Sequence, residues 1–465
     1  MIRKNIYGTL LTLLAGSLLT TACMFSQEDL FDEPAANRIN SVNDDLQQRL
    51  VAQSTGGNQG WVIQYFVADG EHEGFNIFAR FDANGKVTLA SDHRYLRNGR
   101  ANTYTEHTSL YKMLAEEGPV LSFITWNDVL TVFADPVDPD QAPDALVKDG
   151  EGMYGDYNFV FNGYEGDNIL FRGERHGAGV RFIPCDRSWE SWEKYIANVA
   201  DLKKRIVNNT IQTFYLVNGT DTMYYQGLYD GISVQHIDRP EDPLYITSFN
   251  SLFTLDGFRL NRADTLSGAR FQQFHLAADN THLLSEDAKV KVIPTWDLYV
   301  SDCATMLGLN REYFTAEQAA LYQQMEAEVK KVNSNFVLDS IGIVRTLETV
   351  NISGVPVKVK YPGLVACVHG PKKMGRVPLY YPYVNMGIYK PAYGVLKFEA
   401  SAEETSTTMS MFAATDLKTM LKQFAATLYG TYDMTIDNTF RPTRATLTPT
   451  EGGVTQQLVM PAIKD

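Results

Sequence analysis

The residues best suited to contacting a ligand are tyrosines. Tyr380, Tyr381, Tyr383, Tyr389 and Tyr393 fall within fourteen residues that are also rich in Pro and Gly. Exposed rings carrying a hydroxyl stack on the apolar faces of sugars while hydrogen-bonding their rims, so this stretch is the candidate site for a glycan or peptide ligand. Alternating tyrosines in a β-rich chain also read as half-buried sheet wall, and Trp126, Tyr154, Tyr157, Tyr224 and Tyr225 share that second reading. Glycoside hydrolysis asks only for two carboxylates about 5–10 Å apart. The 55 Asp and Glu residues satisfy that condition too easily for sequence to test it. There is no HExxH, no GxSxG elbow, no SxxK set with partners, no Walker loop and no Rossmann fingerprint. No catalytic residue, no metal ligand and no cofactor is therefore assigned. Glu71-His72-Glu73 is the densest His and acid cluster, but it sits between Asp69-Gly70 and Gly74 in an expected hairpin turn, where such charges are solvated. The Asp-rich loops 135–156 and 256–264 do not match EF-hand spacing and also read as solvated surface. Beyond Cys23, the thiols Cys185, Cys303 and Cys367 are odd in number and widely spaced, which excludes a disulfide framework. Three buried thiols are expected, with a single bridge left open, and the absence of any CxxC gives no suggestion of zinc.

The elements that would position these residues are mostly strands. Short alternating runs at 61–67, 75–81, 86–90, 120–125, 128–133, 157–161, 168–173 and 179–183 are separated by turn formers, with Asn84-Gly85 the clearest hairpin. Such spacing predicts an antiparallel meander, barrel- or sandwich-like. Ser188 is the expected cap of a packing helix over 188–208, whose Trp189, Trp192, Ile196, Val199, Leu202 and Ile206 recur every three or four residues. Strands resume from 212 to 293. A second helical region is expected over 295–309 and onward from the capping box of Thr315 and Gln318, through Leu321, Met325, Val329 and Val332. A last helix, through Leu417, Leu421, Phe424 and Leu428, is expected to close at Gly430. The fold expectation is a mostly β domain over 58–300 followed by an α+β domain over 301–465.

The 465 residues carry 44% apolar and 21% charged side chains, ordinary globular values. Asp and Glu outnumber Lys and Arg by 55 to 41, so nucleic acid is not an expected partner.

At the start of the chain, Arg3 and Lys4 precede the apolar residues 10–19, and the small residues Thr20, Thr21 and Ala22 follow. Residues 1–22 thus read as a signal peptide, too short in its apolar part to span a bilayer. Small residues directly before Cys23 resemble the lipobox of bacterial lipoproteins, with Thr20 where that pattern favours Leu. The resemblance implies lipidation of Cys23, each buried methylene adding about 0.8 kcal/mol to anchoring. Residues 23–57, rich in Asp, Asn, Gln and Ser, are expected to form a flexible acidic tether. Ser26-Gln27-Glu28-Asp29 within it resembles the surface-export tag of Bacteroidetes lipoproteins. Asp221-Thr222-Met223, Asp264-Thr265-Leu266 and Asp339-Ser340-Ile341 resemble the Bacteroidetes acceptor for O-glycosylation, which implies Thr222, Thr265 and Ser340 as modification sites.

Gly60-Trp61, Gly74-Phe75, the run from Phe81 to Val87, Gly118-Pro119-Val120-Leu121-Ser122-Phe123, Gly155-Asp156-Tyr157-Asn158-Phe159-Val160 and Ile169-Leu170-Phe171-Arg172-Gly173 together resemble a Bacteroidetes lipoprotein family, domain of unknown function 4302. The motifs mark strands and turns, so no functional residue is carried over. The resemblance implies a protein beside SusC/SusD-like uptake systems, which sets the expectation: a lipid-anchored outer-membrane protein facing the exterior, binding a glycan or peptide as a non-catalytic part of a transporter complex. A hydrolase using a carboxylate pair and a structural adhesin-like subunit stay open as alternatives.

Overall fold

The computed structural model describes residues 34–57, 59–68, 72–116, 118–135, 153–207, 211, 213–227, 234–236, 248–302, 305–344, 349–352, 355–358, 362–371, 379–401 and 410–462. The chain divides into two compact units. One takes the residues up to Ala68 and Ile77–Trp189, the other Asp69–Asn76 and Glu190–Asp465. The break at 189/190 falls inside the stretch 58–300 that the sequence reads as one domain.

The first unit is a closed antiparallel barrel of β1 (Trp61–Phe66), β2 (Phe75–Phe81), β3 (Lys86–Ser91), β4 (Thr105–Ala115), β5 (Pro119–Phe123), β6 (Asn158–Glu165), β7 (Asn168–Gly173) and β8 (Gly179–Pro184), paired in sequence order. It closes where β1 meets β8, from Trp61 opposite Pro184 to Phe66 opposite Gly179. Closure leaves no open sheet edge. Tyr65, Phe81, Phe133, Phe159 and Phe182 are among its fully buried side chains.

Helix α1 (Ala35–Gln53) packs on the barrel, where the sequence predicts tether. Ile39, Val42, Leu46 and Leu50 recur at helical spacing beneath the many Asn, Asp and Gln residues, and Leu46 and Leu50 are wholly buried. The helix is tied down by polar contacts as well. The Trp61 indole donates to the Leu50 carbonyl at 3.1 Å, and Gln53 Nε2 donates to the Gly60 and Cys185 carbonyls, each at 3.1 Å. Two further expectations differ here. Residues 128–133 form no strand, Thr131–Phe133 being a 3-10 turn. Strand β4 goes unpredicted because its inward positions Thr105 and Ser109 are polar.

In the second unit, helix α2 (Trp192–Ile206) is capped by Ser191, whose hydroxyl accepts the Lys194 N–H, and not by Ser188. Its Leu202 and Ile206 enter the core of a nine-stranded antiparallel sheet. That sheet is built from β9 (Thr213–Asn218), β10 (Asp221–Gly227), β11 (Val234–His236), β12 (Ser248–Phe249), β13 (Ser251–Phe253), β14 (Gly257–Leu266), β15 (Ala269–Leu276), β16 (Leu283–Ser285) and β17 (Lys291–Pro294). Among its described residues, the stretch expected as helix over 295–309 holds α3 (Trp296–Ser301) and strand β18 (Leu307–Leu309).

Helix α4 (Ala316–Val332) has the expected capping box, Thr315 and Gln318 satisfying each other's backbone N–H. Then follow β19 (Val337–Val344), the separate hairpin of β20 (Thr349–Ile352) and β21 (Val355–Lys358), β22 (Gly363–His369), β23 (Leu379–Tyr380), β24 (Tyr383–Ala392) and β25 (Val395–Ala400). Helix α5 (Leu417–Ala426) ends at Thr427, and Gly430 opens β26 (Gly430–Ile436) instead of capping the helix. Strands β27 (Arg444–Pro449) and β28 (Gln456–Val459) complete a second nine-stranded antiparallel sheet with β18, β19 and β22 to β26. Leu321, Met325 and Val329 of α4 and Leu417, Leu421 and Phe424 of α5 pack with Leu338, Ala366 and Met386 of the sheet into one core. The molecule is mostly antiparallel β with packing helices, as the sequence reading holds.

Candidate functional site

The five tyrosines of the expected binding patch do not share one surface. Tyr380 turns to the core of the last sheet, its ring 5.2 Å from Phe336 and 6.4 Å from Phe412. Tyr383 is buried and packs with Val344 and Val365, with Tyr381 half-buried against them. Tyr389 is 51% exposed and Tyr393 39%. Tyr393 meets Tyr215 edge-on at 5.0 Å beside the buried carboxylate of Asp297. That carboxylate accepts the Gly394 N–H at 3.0 Å and lies 3.6 Å from Lys390 Nζ. Burial, with the charge of Asp297 added, pushes the Tyr393 hydroxyl up to about 12. Tyr393 is thus a wall residue of a polar network, and Tyr389 is the member most open to solvent.

Of the other aromatics, Tyr225 is fully buried and stacks on Phe214. Trp126, Tyr154 and Tyr157 are exposed on the barrel unit. The barrel also carries an open pocket of about 420 Å³ lined by Arg172, Glu174, Arg175 and His176 among others. Thr222 lies in β10 and exposed Thr265 in β14, both inside regular strands. His72 is buried, where the sequence suggests a solvated turn residue. Asp256 of the second Asp-rich loop is engaged by His275 and Thr254. Cys185 and Cys367 are buried thiols. Glu71, Cys23, Cys303, residues 1–33 and residues 136–152 lie outside the described residues.

Among the described residues, a grouping of His, Cys and Asp side chains lies on the last sheet. Strands β19 and β22 pair antiparallel, with Val337 opposite His369, Leu338 opposite Val368 and Ser340 opposite Cys367. Alternation sends Leu364, Ala366 and Val368 into the core and leaves Val365, Cys367 and His369 on the opposite face. The register slips at Asp339, a bulge that sets both Asp339 and Ser340 against Cys367. A carboxylate oxygen of Asp339, the Cys367 sulfur and a ring nitrogen of His369 consequently lie within 4.8 Å of one another. His369 Nε2 is 3.9 Å from Asp339 Oδ2, and the Ser340 hydroxyl donates to that same oxygen at 3.2 Å. Ser340, the expected glycosylation acceptor, is therefore part of this group.

Electrostatically the site holds its thiol protonated. Burial pushes Cys367 up and the negative charge of Asp339 adds to it, while hydrogen bonds from Tyr381 and Ser340 pull the other way. Burial also raises Tyr381, with Cys367 and Asp339 contributing. A protonated thiol is a poor nucleophile. Sulfur, imidazole and carboxylate together are nonetheless a donor set for a soft or borderline cation. Sequence reasoning searched for ligands one helical turn apart or in CxxC, and these come from two strands nearly thirty residues apart. The available signal was Cys367-Val368-His369, whose spacing of two puts both polar side chains on one face of a strand.

Among solved structures, the DNA polymerase sliding clamp from Bacillus subtilis aligns over 91% of this chain and 98% of its own, at 8% identity and a TM-score of 0.13, too low to carry any argument. No curated protein matches the chain. Residues 27–278, more than half the length, match a family model that takes in the barrel and most of the first nine-stranded sheet, and the chain belongs to the family described as Domain of unknown function (DUF4302).

Proposed function

We propose that this protein is a Bacteroidetes lipoprotein of the outer membrane, anchored through a lipidated Cys23, facing the cell exterior and binding a glycan or peptide within a nutrient-uptake complex. The observation that carries this reading is the order of residues at the start of the chain: Arg3 and Lys4, the apolar run 10–19, Thr20-Thr21-Ala22, then Cys23. The acidic cluster Glu28, Asp29, Asp32 and Glu33 supports export to the outer face. Exposed rings at Tyr389, Trp126, Tyr154 and Tyr157 support ligand contact by stacking.

Metabolic labelling with a palmitate analogue tests the anchor. The native chain takes up label and sediments with membranes, and Cys23→Ser does neither; an unlabelled, freely diffusing native chain overturns the reading. Antibody to residues 58–300 binds intact cells if the body faces outward, and binds only permeabilised cells if it does not. A glycan and peptide array on the Cys23→Ser chain then identifies the ligand class, and Tyr389→Ala lowers that binding about tenfold if the exposed ring stacks on it.

A further inference from the structure

We propose that Asp339, Cys367 and His369 bind one zinc ion, with the fourth position of the tetrahedron open to water. The ligand set selects the ion. Thiolate disfavours calcium and magnesium, and sulfur, imidazole nitrogen and carboxylate oxygen in one place suit Zn²⁺ and its spectroscopic substitute Co²⁺. Three protein ligands with one free position are the pattern of zinc sites that act on a bound water, closed structural sites having four.

The geometry is near what the ion requires. Zinc bonds of about 2.0–2.3 Å at tetrahedral angles put donor atoms about 3.4–3.6 Å apart. The three donors lie within 4.8 Å of one another, and the imidazole and carboxylate are already at 3.9 Å. Closing the remaining gap asks for a shift of about 1 Å. The His369 and Asp339 side chains are 39% and 52% exposed and free to make it, while Cys367 is fixed by burial. A hydrogen bond already orients one donor, from Ser340 to the Asp339 carboxylate. Such supporting contacts commonly accompany ligands.

The charges also match. One thiolate and one carboxylate against a dication leave the site neutral, so the ion relieves the repulsion between Asp339 and an ionised Cys367. On binding, the S–H bond of Cys367 breaks, its proton passes to solvent, and the sulfur lone pair forms the metal bond; no oxidation state changes.

Cobalt titration of the chelator-stripped Cys23→Ser chain tests the site and does not depend on the lipoprotein reading. One equivalent of Co²⁺ is expected to give a thiolate-to-cobalt charge-transfer band with visible d–d bands of tetrahedral intensity, both bleached by Zn²⁺. Cys367→Ser should abolish the charge-transfer band. His369→Gln and Asp339→Asn, at solvent-accessible positions, should each weaken binding about tenfold or more with the fold intact by circular dichroism. Absence of the band in the parent chain overturns the proposal. So does its persistence in Cys367→Ser, which would assign the thiolate to Cys185 or Cys303, and so does unchanged affinity in both surface variants.

Discussion

Asp156 shows how one side chain can organise a loop. Its buried carboxylate accepts the backbone N–H groups of Arg175 at 2.9 Å, His176 at 3.0 Å and Ala178 at 3.1 Å, while its own N–H donates to the Tyr65 hydroxyl at 2.7 Å. Asp156→Ala strands three donors, and urea unfolding of the barrel should show a loss of about 3 kcal/mol or more. Gly173 makes room for this carboxylate: a Cβ there would lie 1.9 Å from Asp156 Oδ2. Gly173→Ala should therefore unfold the barrel at markedly lower urea, an effect absent if the loop simply moves aside. His93 contributes a pH dependence. Desolvation lowers it to about 4 from 6.5, with its Nε2 2.8 Å from the Val129 carbonyl. Between those values the unfolded chain takes up a proton that the folded chain refuses, so stability falls as pH drops through that window. The full loss is about 3 kcal/mol. Comparing unfolding midpoints at pH 7 and 4.5 should show a smaller acid-induced drop in His93→Gln than in the parent, and equal drops would remove His93 from the account.

Elements were legible where the signal was local. The capping box at Thr315 and the 3.6-residue period of α4 and α5 follow from residues a turn apart, and Thr315→Ala should cost about 1 kcal/mol in the unit that contains it. Helix α1 escaped because the four apolar positions Ile39, Val42, Leu46 and Leu50 are outnumbered by Asn, Asp and Gln, so composition argued for a tether while spacing argued for a helix. Leu50 is wholly buried. Leu50→Ala should destabilise the barrel unit by about 2–5 kcal/mol, whereas a tether would tolerate it. Strand β4 escaped for the converse reason, since its inward Thr105 and Ser109 hide the alternation that marks a strand.

At the scale of the molecule, two compact units with separate cores predict unfolding that is not two-state. Calorimetry should give a van't Hoff enthalpy below the calorimetric one, and Leu50→Ala should lower only one of the resolved transitions. A single coincident transition by every probe would contradict this. Most strands, their antiparallel pairing and helices α2, α4 and α5 were determined by the sequence alone, because turn chemistry, caps and side-chain periodicity act over a few residues. So was the acidic balance, 55 Asp and Glu against 41 Lys and Arg. The tertiary structure decided which strands close into a barrel, that the five tyrosines part company, and that Asp339 and Ser340 meet Cys367 and His369. Strand pairing joins residues far apart in the chain, and a single bulge in the β19–β22 register turns Asp339 toward the sulfur; neither leaves a mark in local composition.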